Sequence, residues 1–203
     1  METKNRLTWK EWTSLGVAAL ALGALGFHMA SLSKPAPGDW GKAPAFRYED
    51  RNGGTLRNTD LKGKFWVADF IFTRCAGSCP ILSQQMRRLQ ERWKGNDKLA
   101  LVSFTVDPDY DTVAVLKGYA DDLDADPKQW FFLTGAKKDL LRTAEDGFHL
   151  TAIENPGAEP GALFIHSTKL VLVGPEGTIL GYYDGTDKDE FNKLRAELKS
   201  LLG

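Results

Sequence analysis

Two cysteines, Cys75 and Cys79, are the strongest chemical signal in the chain. They are its only two in 203 residues, and they stand in Arg74-Cys75-Ala76-Gly77-Ser78-Cys79-Pro80. A disulfide between them closes so short a loop that it constrains the unfolded chain little, so a structural staple is a poor account of the pair. Their surroundings point to chemistry instead. An apolar run, Phe65–Phe72, ends just before them and a helical pattern opens at Pro80. The C-terminal edge of a strand in an α/β sheet is where ligands gather. A thiol beside a helix N-terminus lies in positive potential that favours the thiolate, and Arg74 adds a cation. Thiolate is both a nucleophile and a soft metal ligand. The spacing leaves both roles open: three residues intervene where a thioredoxin-type redox pair has two. Such a pair can oxidise, or it can offer two sulfurs to one metal.

Two ligands seldom satisfy a metal in a protein, so metal capture needs a third. The chain has three histidines. His28 falls in an apolar N-terminal segment, where no role is expected of it. His149 alternates with Phe148 and Leu150 in an expected strand and should face solvent. His166 stands at the entrance of an expected strand, Lys169–Val173, and is the candidate third ligand. The acidic run Asp107-Pro108-Asp109-Tyr110-Asp111 fails as a calcium loop, because its sixth position is Thr112 and its twelfth is Gly118. It reads as a strand-to-helix turn with Asp111 as the helix cap. No Walker loop, G-x-G-x-x-G or G-x-S-x-G occurs.

The elements that must position these residues follow from hydrophobic pattern. Phe46–Asp50 and Thr55–Asn58 flank Arg51-Asn52-Gly53-Gly54, a hairpin signal. Phe65–Phe72 and Leu99–Val106 read as strands covered on both faces. Between them, Pro80–Trp93 repeats apolar residues at Leu82, Met86, Leu89 and Trp93, one face of a helix. Asp111–Leu123 and Lys137–Glu145 read as helices on either side of a strand at Trp130–Thr134. Phe148–Ile153 reads as a strand. Lys169–Val173 and Thr178–Tyr183 are strands around Gly174-Pro175-Glu176-Gly177, a turn by composition. Lys188–Leu202 closes as an amphipathic helix with Phe191, Leu194, Leu198 and Leu201 on one face. Alternating β and α units imply a layered α/β sheet with flanking helices, and the late hairpin makes that sheet mixed.

These motifs together resemble the Sco/SenC family. Phe72-Thr73-Arg74-Cys75-Ala76-Gly77-Ser78-Cys79-Pro80 resembles its F-T-x-C-x-x-x-C-P signature. The run Val102 to Thr112 resembles its V-S-x-x-x-D-P-x-x-D-T segment, and Trp130 to Gly135 its W-x-F-L-T-G. His166-Ser167-Thr168 and the Gly174–Gly177 turn are similar to its H-S/T segment and following turn. The match runs in the family's order over about residues 44–200. The resemblance implies a thioredoxin-like fold with an extra N-terminal hairpin, tethered to a membrane. It implies copper, Cu(I) or Cu(II), held by Cys75, Cys79 and His166. It also implies a partner: the copper-bearing subunit of cytochrome c oxidase, or another copper acceptor, served as copper donor, thiol reductant or both. Zn(II) would accept the same donors, so the ligands alone do not name the metal. Two positions depart from the family: Ala76 stands where proline is usual, and Ile165 where many members have an acidic residue. The rival readings are a thiol-disulfide reductase acting through Cys75 and Cys79 on the oxidase subunit or another exported protein, and a thiol peroxidase, for which only the fold class speaks.

The rest of the composition bounds the setting. Hydrophobic residues are 42% and charged residues 26%, the balance of a globular protein. With 26 Lys and Arg against 27 Asp and Glu, no basic excess draws in a nucleic-acid backbone. The charge is uneven, however. From Trp12 to Ser33 there is no Asp, Glu, Lys or Arg, and at about 1.5 Å per residue that run spans roughly 33 Å, one hydrocarbon core. The expected organisation is a cytoplasmic tail at 1–11, a transmembrane anchor at 12–32, a proline-rich linker at 33–45 and a thioredoxin-like copper-binding domain at 46–203; a cleaved signal peptide is the rival reading of the apolar run. Lys4, Arg6 and Lys10 before the run place the tail inside. The domain is therefore expected on the extracytoplasmic side of a bacterial plasma membrane.

Overall fold

A computed structural model describes residues 40–203; the expected tail and anchor lie outside the described residues. The first hairpin pairs β1 (Arg47–Asp50) with β2 (Thr55–Arg57), Tyr48 opposite Leu56. Then come β3 (Phe65–Ile71), α1 (Cys79–Arg92), β4 (Leu99–Thr105), α2 (Val113–Asp122), β5 (Trp130–Thr134) and α3 (Lys137–Arg142). A short hairpin follows, β6 (Ala152–Glu154) and β7 (Phe164–His166). The chain closes with β8 (Lys169–Val173), β9 (Ile179–Asp184) and α4 (Lys188–Leu202).

Seven strands form one mixed sheet in the order β2-β1-β5-β4-β3-β8-β9, while β6 and β7 pair only with each other. Strands β3, β4 and β5 are parallel, because α1 and α2 supply the crossovers that parallel neighbours need. Strand β8 runs antiparallel to β3 and to β9. Every residue of β4 is buried, and of β3 only Phe65 is not, as expected of strands covered on both faces. On one face Phe148 enters among Trp66, Phe70 and Phe104. The other carries α1 and α2, tied together by Ser83 and Tyr119.

Several boundaries differ from the sequence reading, each for a local reason. Helix α2 is capped by Thr112, whose hydroxyl accepts from the Val115 amide; Asp111 is instead fully buried and bonded elsewhere. Helix α3 passes into a π-turn at Thr143–Gly147, where Gly147 lies so close to Pro44 that a Cβ would clash. Phe148 then plunges into the core and His149 takes a left-handed φ of 53°, so the strand expected at Phe148–Ile153 shortens to β6. Leu201, expected on the buried face of α4, is exposed, while Phe191, Leu194 and Leu198 are buried. Residues 41–43, read as part of the linker, lie along the last strand pair: Lys42 bridges to Thr178 and the Ala43 amide bonds the Gly177 carbonyl. Among the described residues no helix is long and apolar enough to cross a membrane.

Candidate metal centre

Helix α1 begins at Cys79, and its buried stripe is Cys79, Leu82, Met86 and Leu89. Cys79 is therefore drawn into the core by the same periodicity that anchors the helix. Cys75 precedes the helix in a tight turn and is half-buried. Its amide bonds the Phe72 carbonyl, and its sulfur accepts from the Gly77 amide at 3.4 Å. His166 ends β7, a strand too short to show a period in sequence. The Asn155–Leu163 connection before it, rich in proline and glycine, hid the hairpin altogether.

These three residues meet. One ligand atom from each of Cys75, Cys79 and His166 lies within 4.8 Å of the others. Donors about 2.0–2.3 Å from a common metal lie about 4 Å apart, so the group needs to contract by less than about 1 Å. His166 Nδ1 is 3.1 Å from the Ser167 carbonyl. A carbonyl only accepts, so Nδ1 carries the proton and the lone pair is on Nε2. That Nε2 is 3.0 Å from Cys79 Sγ, where it accepts the thiol proton and faces the sulfurs as a ligand would. Burial lowers the imidazole pKa, partly countered by the Ser167 carbonyl, a shift that favours the neutral ring. Burial also pushes the Cys79 thiol well up. The helix terminus, expected to favour thiolate here, is outweighed by desolvation.

Arg74 was expected to add positive potential at the sulfurs. Its guanidinium instead meets the Asp107 carboxylate at 2.5 Å and lies 4.1 Å from the Tyr110 ring centre. Asp111 accepts from the Thr73 amide and hydroxyl and from the Thr105 hydroxyl, so the acidic run grips the segment leading to Cys75. His149 is exposed and is not part of the cluster; His28 lies outside the described residues. Asp69 went unnoticed in the sequence. It lies in β3, fully buried, with neither carboxylate oxygen hydrogen-bonded, and it adds to the upward pressure on the Cys79 pKa.

The SCO1/SenC family model matches residues 37–203. The chain belongs to that family. The SCO1 protein homolog of Bacillus subtilis is 31% identical over 156 residues, covering 76% of this chain and 80% of that protein. BsSco, described as a Sco-family cytochrome c oxidase assembly protein with a disulfide switch, superposes with a TM-score of 0.67 at 30% identity, covering 78% of this chain and 92% of its own. Yeast Sco1 with copper bound gives a TM-score of 0.60 at 28% identity, covering 78% and 89%. Among the described residues, the mixed α/β sheet with its four helices is thus the family's thioredoxin-like fold.

Proposed function

We propose that this protein binds copper through Cys75, Cys79 and His166 and passes it to an acceptor, the copper-bearing subunit of cytochrome c oxidase. The observation that carries this reading is the meeting of two thiols with an imidazole whose Nε2 lone pair is turned toward them by the Ser167 carbonyl. Two soft sulfurs suit Cu(I), and the imidazole accepts either oxidation state. Support also comes from the family: yeast Sco1 has been solved with copper bound and BsSco is an oxidase assembly protein. Three donors leave a copper ion under-coordinated, which suits transfer by ligand exchange. The chain's own work is to hold Cys79 and His166 in register on α1 and β7 and to give up the Cys79 proton as copper arrives. Residues 12–32 anchor the protein, and the domain works outside the cytoplasm. A second reading, thiol reductant for the acceptor's cysteines, draws on the free state and closeness of Cys75 and Cys79.

Copper titration of the reduced protein, followed through sulfur-to-copper absorption, tests the site. One copper per chain is expected. Oxidation to the Cys75–Cys79 disulfide should abolish binding, since no thiolate remains. His166→Ala should leave the disulfide formable yet weaken copper at least about tenfold, which is about 1.4 kcal/mol. A parent-like His166→Ala variant would make the histidine structural and put the reductant reading ahead.

A further inference from the structure

The hairpin that carries His166 stands apart from the main sheet, since β6 and β7 pair only with each other. A two-stranded hairpin is marginal by itself, so its place over the thiols depends on what clasps it. Phe164 and His166 rest edge-on against Phe72, with ring centres 5.5 and 5.7 Å apart. The Ala76 amide donates to the Gly161 carbonyl at 3.2 Å, a bond a proline at 76 would lack. Ala152 is buried in the core as well, and a further hold is electrostatic. Lys137, the first residue of α3, places its ammonium between Asp109, at 3.1 Å, and Glu154 on β6. The same ammonium lies 5.5 Å from the Phe164 ring centre. It thus joins three pieces of chain: the acidic run after β4, the start of α3, and both strands of the hairpin. Under that hairpin Cys79 is 1% exposed, with His166 3.0 Å from its sulfur.

We infer that Lys137 is a positioning residue that clasps the His166 hairpin over Cys79 and sets how often the hairpin lifts. Its consequence for metal release rests on the copper reading; its consequence for thiol access does not. Exposed ion pairs of this kind are each worth a factor of about 1.4–5 in an equilibrium. While the hairpin is mostly closed, that factor barely moves an equilibrium affinity. It moves in full every rate that waits for opening.

The test uses the full chain, reduced and metal-free, in detergent. Iodoacetamide alkylation of Cys79 is timed in a Cys75→Ser background, and of Cys75 in a Cys79→Ser background. Lys137→Met should speed Cys79 two- to fivefold and leave Cys75 within a factor of about 1.5. Lys137→Arg should restore the parental rate, because the cation is kept. Raising salt should narrow the gap between parent and Lys137→Met, since these pairs are exposed. The sign is informative, because loss of a cation would by itself disfavour thiolate and slow alkylation. An unchanged or slower Cys79 in Lys137→Met, no rescue by arginine, or equal acceleration of both cysteines overturns the clasp. In copper-loaded protein, chelator-driven loss should quicken by the same factor. A protein that took up no copper would defeat the proposed function and leave the alkylation result standing.

Discussion

Asp69 puts a carboxyl in the middle of the sheet beside a run of apolar residues, with no partner for either oxygen. Ser103, opposite it in the ladder, accepts the Trp130 indole proton, and its hydroxyl offsets only a smaller part of the burial of Asp69. Burial pushes the Asp69 pKa up to about 7. At pH below the ordinary value of 3.8 the acid is neutral in both folded and unfolded chains and costs nothing extra. Between there and about 7 the unfolded chain ionises while the folded one holds its proton, so folding loses ground at about 1.4 kcal/mol per pH unit. Above about 7 the loss levels off, on the order of 4 kcal/mol. Asp69→Asn should therefore flatten the pH dependence: parent minus variant stability should fall between pH 4 and 7 in urea titrations. A constant difference would show Asp69 ionised in the fold. Nothing in Phe65–Ile71 advertises this residue, because one acid in an apolar strand leaves the hydrophobic pattern intact. Cys75, Cys79 and His166 were legible because their types are rare here and their chemistry is narrow. Lys137 was not, since a lysine's meaning lies in carboxylates brought near only by the fold.

The central strands and all the crossovers were readable because β3, β4 and α1 carry strong, long patterns. The three-residue strands β6 and β7 were too short to show any period, and Phe148 drew the chain inward before the first of them. The candidate third ligand, His166, was thus picked out as a residue and lies beside both sulfurs, but it was placed on the wrong element. The acidic run shows a similar split: a turn was legible there, but its tie to β3 was not. Asp111 accepts from the Thr73 amide and hydroxyl and the Thr105 hydroxyl, pinning the end of β3 to the end of β4 two residues before Cys75. Asp111→Ala strands these donors in a buried place. At about 1–3 kcal/mol for each buried group left unpaired, a loss of about 2–4 kcal/mol in urea unfolding is expected. Thr112→Ala, which removes only the cap of α2, should cost about 1 kcal/mol. If the two variants lose equally, Asp111 is no more than part of the helix start, as the sequence pattern had it.

At the scale of the whole molecule, the thiol chemistry is tied to the compartment in which the domain works. On the copper-delivery proposal, a site built on free thiols needs a compartment that does not hold them permanently as a disulfide, and an acceptor outside the cytoplasm has to be met there. The charge-free run from Trp12 to Ser33 supplies both tether and address if it spans the membrane, and Lys4, Arg6 and Lys10 favour the tail inside. Lys34, Lys42 and Arg47 follow the run, so the charge bias across it is shallow, and a fusion reporter reads the orientation directly. The C-terminus is suited to carry a reporter: α4 ends at Leu202 and Gly203 is exposed, so a fused domain disturbs no packing. A reporter that folds only outside the cytoplasm, joined after Gly203, should be active, and one that works only inside should be silent. The fusion should stay with membranes after lysis and leave them only with detergent, because an apolar span of this length does not dissociate into water. Release by lysis alone would show that the segment is removed rather than kept. Activity of the cytoplasmic reporter alone would place the thiols and His166 on the wrong side of the membrane for an extracytoplasmic acceptor.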